Sequence, residues 1–317
     1  MGIRVLAIST DLAGRLLSLG RRGKASRVLQ GLATALIVAV LVYALYRNRD
    51  QLQEASFSLD YTLLALSFLL WLGSYLLFAL GWKLVLQALG TRVDWWRASR
   101  AWFVSQGLKY IPGSVVYVAG RVYMAHGEGV GGMGAAVGFA LECLLALATA
   151  LLVFVAVLPF GLGSNLPLPL ILAPLPVLAG VVVSVPLALR WAAARSAGKG
   201  IMPIGYGPLV LLTAFYVLTW FPAGLAAYLA FRSLGQPFPL GFGQVLGIYT
   251  LSWAAGFVAF FAPGGLGVRD GMLIVLMSGL IPLPLATLGV VVIRIETLAV
   301  EGLLAFLAIK WWPNSAP

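Results

Sequence analysis

The chain has 317 residues, of which 61% are hydrophobic and 10% charged, and its mean hydropathy is +0.99. Soluble domains carry about 25% charged residues, so the composition excludes one and indicates an all-α polytopic membrane protein. A single cysteine, Cys143, rules out an intrachain disulfide, and a single histidine, His126, rules out a His/Cys metal cluster; no cofactor or metal is expected. The formal charge of +11 sits in short loops between apolar runs, where cytoplasmic positive charge and contact with anionic lipid account for it better than nucleic acid does.

Residues 1–27 mix apolar side chains with six basic ones and Asp11, a net +5, and read equally as a basic amphipathic segment on the membrane surface or as a disordered tail. Val28–Tyr46 has the ~20 residues a span requires. The loop after it (Arg47, Arg49, Asp50, Glu54, Asp60) sums to −1, which predicts a cytoplasmic N-terminus. Tyr61 to about Trp82 returns inward, and the region from Lys83 to His126 is the most basic stretch of the chain. Within it, Ala98–Ile111 reads as a helix too short to cross, ending at Pro112-Gly113-Ser114. Gly132–Phe160 crosses outward with Glu142 near its middle, and the proline-rich Pro167–Leu189 returns as a kinked or irregular helix. Pro208–Phe231 crosses outward, and Pro239–Phe261 leads into Pro263-Gly264-Gly265-Leu266-Gly267-Val268-Arg269-Asp270. Gly271–Leu280 is too short to span, and Pro284–Ile309 is the last long segment, carrying Arg294, Glu296 and Glu301, with Lys310 at its end.

Neither Pro-Gly stretch can be a helix interior, because proline lacks an N–H and glycine lowers the cost of irregular backbone. Irregular backbone beside charge is tolerated in a bilayer only where protein or a wet cavity covers it, which makes both stretches site candidates. An ordinary turn at the membrane surface uses the same residues. The two stretches also belong to a repeat. Trp102 precedes Pro112-Gly113 by ten residues, and Trp253 precedes Pro263-Gly264 by the same interval. A basic residue follows each break (Arg121, Arg269), then a long helix with an acid (Glu142, Glu296), and each half opens with a span ending Leu-Gly at 89–90 and 234–235. Charge starts the first copy outside and the second inside, so the copies are predicted to be inverted, an arrangement in which broken helices of two halves meet at a midplane substrate site. The predicted organisation is a basic segment 1–27, one transmembrane domain over 28–310 (repeats about 61–162 and 208–309) and a tail 311–317. It has six full spans plus two re-entrant or broken hairpins, or eight and more spans if the breaks cross.

The run Tyr110-Ile111-Pro112-Gly113-Ser114, the acid of the following helix and Pro263 to Gly271 together resemble the lysylphosphatidylglycerol synthase transmembrane family over most of residues 28–310. Two departures stand out: the family's acid-bearing helix usually reads Glu-Arg where Glu142-Cys143 stands here, and its second motif more often ends Arg-Glu than Arg269-Asp270. The resemblance implies a flippase for a phospholipid, glycolipid or polyprenyl-phosphate lipid. The synthase's soluble aminoacyl-transfer domain is not expected in a chain ending at Pro317.

An ionised arginine at a helix centre costs about 2.5–3.5 kcal/mol on insertion scales, so each intramembrane charge needs a partner or a wet cavity. Arg294 and Glu301, seven residues apart, share a helix face and could bracket a headgroup, whereas Glu296 lies roughly 160° around from Arg294 and is expected to face another neighbour such as the break at Arg269. Glu142 is expected either to pair across helices with Arg121 or Arg269, or to be protonated. The candidate substrate-binding set is Arg121, Arg269, Arg294, Glu142, Glu296, Asp270, Gly113, Gly264 and Gly265, with Glu142 and Glu296 as candidates for proton coupling. Structural ion pairing is the competing reading for each charge. The functional expectation is a lipid translocase of the inner membrane with both termini cytoplasmic, no enzymatic activity, a membrane lipid as substrate, and self-association into a homo-oligomer left open. A membrane enzyme acting on a lipid-linked phosphate and a non-transporting scaffold subunit are the alternatives.

Overall fold

Asp60 opens the first helix of the structure: its carboxylate accepts from the backbone N–H groups of Thr62 and Leu63 at 2.9 and 3.0 Å, an N-cap that stabilises a helix by about 1 kcal/mol. The structure, a computed structural model, describes residues 58–109, 114–127, 129–159, 168–172, 175–176, 179–180, 187, 204–259 and 267–310. Outside them lie the expectations for the basic segment 1–27, the first span Val28–Tyr46, most of 167–189, the tail, and both Pro-Gly breaks with Gly113, Gly264 and Gly265.

The described residues form helices and turns with no strand. In chain order the helices are α1 (Tyr61–Ala88), α2 (Trp95–Leu108), α3 (Ser114–Gly127), α4 (Gly132–Val157), the short α5 (Leu168–Leu172), α6 (Tyr206–Arg232), α7 (Phe242–Val258), α8 (Val268–Ser278) and α9 (Leu283–Lys310). Three of them, α1, α4 and α6, are long and apolar enough to cross a membrane. At 28 residues α9 equals α1 in length but carries three charges in its interior. The 14 residues of α2 and 17 of α7 extend only about 21 and 26 Å at 1.5 Å per residue, short of the hydrocarbon thickness. Pro239–Phe261, expected to lead into the second break, is a short helix over Phe242–Val258.

Helix α3 has no counterpart in the sequence reading. Its residues are rich in valine and glycine, both poor helix formers. It is held by packing against α2 and α4, and Gly120 lets Leu108 of α2 approach its backbone. Arg121 therefore lies two turns inside a helix rather than directly after a break.

Helices α1 and α6 pack along each other in opposite directions. The Asp60 N–H donates to the Ser233 carbonyl at 2.8 Å at one end, the Ser67 hydroxyl lies 2.9 Å from the Ala226 carbonyl, and Phe78 meets the rings of Tyr216 and Trp220 further along. Both end on Leu-Gly, with Gly90 at φ +85° and Gly235 at φ +66°, the left-handed turn that glycine adopts without steric cost beyond a helix C-terminus.

The remaining contacts fall into matched sets. Helix α1 meets α2, α4 and α9, as α6 meets α7, α9 and α4. Helix α2 lies on α3 and α9, as α7 lies on α8 and α4; α3 packs on α4, as α8 packs on α9. Exchanging α1–α4 for α6–α9 leaves this scheme unchanged. Individual residues follow it. Tyr75 packs on Trp102, with ring centroids 5.9 Å apart, and the corresponding residues Trp220 and Trp253 lie at 4.8 Å. Gly138 admits Leu86 of α1, and Gly289, separated from it by the same 151 residues that separate Trp102 from Trp253, admits Phe231 of α6.

The two glycine contacts differ in tightness. A Cβ at Gly138 would lie 3.0 Å from a terminal methyl of Leu86, whereas one at Gly289 would overlap the ring of Phe231, itself fully buried and stacked on Phe238. Gly289→Ala should therefore destabilise the protein by about 1–3 kcal/mol, the usual cost of overpacking, and Gly138→Ala by less. Thermal unfolding of both variants in the same detergent measures the difference.

Candidate functional site

Two groups of buried charge lie among these helices, and they differ in how completely protein encloses them. The first joins α3 and α4. The Arg121 side chain has no exposed surface and donates from Nη1 to Glu142 at 3.0 Å, from Nη2 to the Tyr117 hydroxyl at 3.1 Å and from Nε to the Ser105 hydroxyl. Its guanidinium also lies 5.1–5.7 Å from the ring centroids of Trp82, Trp102, Tyr117 and Phe139, within cation–π range. The other oxygen of Glu142 accepts from the Trp102 indole at 2.6 Å. Glu142 thus pairs across helices with Arg121, one of the two partners the sequence suggested. Both its oxygens accept from donors, an arrangement that favours an ionised carboxylate.

The second group lies where the flanks of the two breaks converge on α9. Lys109, the last described residue before the first break, donates to Glu301 at 2.6 Å, and the Tyr75 hydroxyl of α1 donates to the same carboxylate oxygen. Arg269, just after the second break, donates to Asp270 at 3.1 Å, and the Arg294 guanidinium approaches the other Asp270 oxygen at 3.9 Å. Lys109, Arg269 and Arg294 are near enough for their charges to act on one another. Tyr249 of α7 borders the same group, close to Arg269, Asp270, Glu301 and Arg294. Unlike Arg121, these cations keep some surface: 11% of the Arg269 side chain, 15% of Arg294 and 18% of Lys109. Among the described residues the group brings together three cations and two acids, Asp270 and Glu301.

Local geometry explains this convergence. Seven residues are nearly two helical turns, so α9 presents Arg294 and Glu301 on one face, as expected, and each takes a different break's flank as partner. Gly256 of α7 lets the α8 backbone close in: a Cβ there would lie 2.7 Å from Cβ of Arg269 and 3.2 Å from its Cα. Ser105, the residue 151 positions earlier, instead accepts a hydrogen bond from the Arg121 side chain. Helix α8 begins after Gly267 at φ +84°, a conformation that suits the last glycine of the Pro-Gly-Gly-Leu-Gly motif.

Glu296 stands apart from both groups, which corrects the expectation that it faces Arg269. Two residues turn the helix by about 200°, so it points at α1 and α6 rather than α8, and its Oε2 lies 2.6 Å from the Ser67 hydroxyl. Of the candidates, Arg269, Asp270 and Arg294 are brought together, Arg121 and Glu142 form a separate closed pair, and Gly113, Gly264 and Gly265 lie outside the described residues. The sequence reading missed Lys109, Tyr75 and Ser67. Lys109 could have been found from its position directly before Tyr110-Ile111-Pro112-Gly113, whereas Tyr75 and Ser67 carry no local signal.

Because Arg121 and Glu142 are both deeply buried, removing either strands the other's charge in apolar surroundings, which typically costs 3–5 kcal/mol. Arg121→Ala and Glu142→Ala should each lower the unfolding temperature sharply, and the double variant Arg121→Met/Glu142→Leu should recover most of the loss. Thermal unfolding of the three variants in detergent tests this.

No curated protein matches the chain. Residues 29–305, nearly its whole length, match the family described as the lysylphosphatidylglycerol synthase TM region. With that match, three crossing-competent helices and charges held among apolar helices, the chain is an integral membrane protein belonging to the lysylphosphatidylglycerol synthase transmembrane-region family.

Proposed function

We propose that this protein is a translocase that moves an anionic lipid across the cytoplasmic membrane without converting it, its headgroup passing the Lys109–Glu301 and Arg269–Asp270–Arg294 cluster while its chains stay in the bilayer. The observation that carries this reading is the cluster itself: three partly accessible cations gathered on the flanks of both Pro-Gly breaks and on α9. Its depth supports the reading. Tyr75, bonded to Glu301, lies at the middle of α1, about 20 Å from either end of that helix. Guanidinium groups match phosphate oxygens in shape and charge, and a headgroup phosphate would compete with Asp270 for Arg269 and Arg294. The closed Arg121–Glu142 pair has no open face for a headgroup, and we assign it to holding α2, α3 and α4 together.

We read the two halves, about 61–162 and 208–309, as an inverted repeat. The antiparallel α1–α6 pairing, the exchangeable contact scheme and the matched Tyr75–Trp102 and Trp220–Trp253 contacts support this. In such repeats, rocking of one half against the other opens a central site alternately to the two sides. On this topology α1 begins outside, both termini are cytoplasmic, and six spans accompany the two broken hairpins.

Proteoliposomes containing a head-labelled fluorescent anionic phospholipid test the proposal. The wild-type protein should expose the inner-leaflet label to a membrane-impermeant quencher with no change in the lipid's chemistry, whereas chemical conversion indicates an enzyme, and neither outcome leaves a scaffold. Arg269→Ala should abolish the transfer while unfolding at a temperature near that of the wild type; unchanged transfer by that variant counts against the cluster as the headgroup path.

A further inference from the structure

Glu296 and Ser67 pose a proton-counting problem. Ser67 is fully buried, and its hydroxyl oxygen lies 2.9 Å from the Ala226 carbonyl and 2.6 Å from Glu296 Oε2. A carbonyl oxygen can only accept, and so can a carboxylate, yet a serine hydroxyl has one proton to give. With Glu296 ionised, two acceptors compete for one hydrogen in a buried place. With Glu296 protonated, the chain closes: the carboxyl donates to Ser67, and Ser67 donates to the carbonyl.

The surroundings agree. On α1 the neighbours of Glu296 are Ser67 and Trp71, and α6 contributes the Ala226 carbonyl, none of them charged. The charged side chains of α2 and α8 near α9, Lys109, Arg269 and Asp270, engage Glu301 and Arg294 instead. Among the described residues no cation lies within ion-pair distance of Glu296, and burying an unpaired carboxylate costs far more than burying the neutral acid. Glu142 is the contrast, with a guanidinium on one oxygen and an indole N–H on the other.

We propose that Glu296 is the proton-binding site that couples lipid movement to the proton gradient, a step that rests on the translocase reading above. On the same helix, Glu296 lies about 3 Å along the axis from Arg294 and 7.5 Å from Glu301 but on another face, so its coupling to the cluster runs through movement of α9 against α1 and α6. The carboxyl takes a proton from one aqueous side and, when the headgroup and the inter-half contacts rearrange, releases it to the other. The O–H bond of the acid breaks, the carboxylate keeps the electron pair, and water receives the proton. The bond partners from α1 and α6 are the two helices that face each other across the halves, so a rocking motion makes and breaks this contact.

Two measurements on the full chain in vesicles decide the matter. Infrared spectroscopy at neutral pH should show the carbonyl stretch of a protonated carboxylic acid that is lost in Glu296→Gln and moves to higher frequency in Ser67→Ala, where the carboxyl loses its acceptor. Absence of that band from the wild type overturns the proposal. In proteoliposomes loaded with the labelled anionic phospholipid, an imposed gradient of one pH unit should drive up to roughly tenfold asymmetry of the label if one proton moves per lipid. The ratio of transfer with and without the gradient should fall to one in Glu296→Gln. If that variant is inert, the wild-type ratio and the infrared band still decide. Wild-type transfer indifferent to the gradient overturns the coupling and leaves the translocase standing; a wild type that moves no lipid overturns both.

Discussion

Every charge inside this helical assembly must be matched within an ångström or so of hydrogen-bonding distance, because the surrounding side chains and lipid tails solvate none of them. That constraint organises the interior. Arg121 is matched three times over by Glu142, Tyr117 and Ser105 and enclosed by four aromatic rings, which ties α2, α3 and α4 into one block. The cations around α9 retain 11–18% of their side-chain surface. The same physics thus yields a closed structural joint in one place and a group able to exchange partners in another. What separates them is the enclosure, not the residue types.

The two halves share contacts but not charges. In the first, the cation stands on the short helix (Arg121 on α3) and the acid on the long one (Glu142 on α4); in the second, Asp270 is on short α8 and Arg294 on long α9. Counting by the 151-residue offset, Arg121 corresponds to Met272 and Glu142 to Ile293, both apolar, while Arg294 corresponds to Cys143. Aromatic contacts and small residues recur at matched places in the two sets of helices, whereas the polar residues differ. This difference leaves the interior with one sealed pair and one cluster in which Lys109 from the first half joins four charged side chains of α8 and α9. Glu296, one turn from the position that Glu142 predicts, then falls against α1 and α6 and belongs to neither.

Much of this was readable in the chain itself. Long apolar runs set α1, α4, α6 and α9 to within a few residues, because a helix must satisfy its own backbone where no water can. A seven-residue interval put Arg294 and Glu301 on one face. Helix α3 was not readable, since its valines and glycines carry no strong local preference and α2 and α4 hold it in place.

The sequence by itself determined that this is a helical membrane protein with a few interior charges, since hydropathy and length are local properties that a bilayer reads directly. Which charge meets which was decided only by the tertiary structure. Ion pairs between side chains 21 to 192 residues apart depend on how helices cross and how closely small residues such as Gly256 and Gly289 let backbones approach, and no spacing along the chain encodes that.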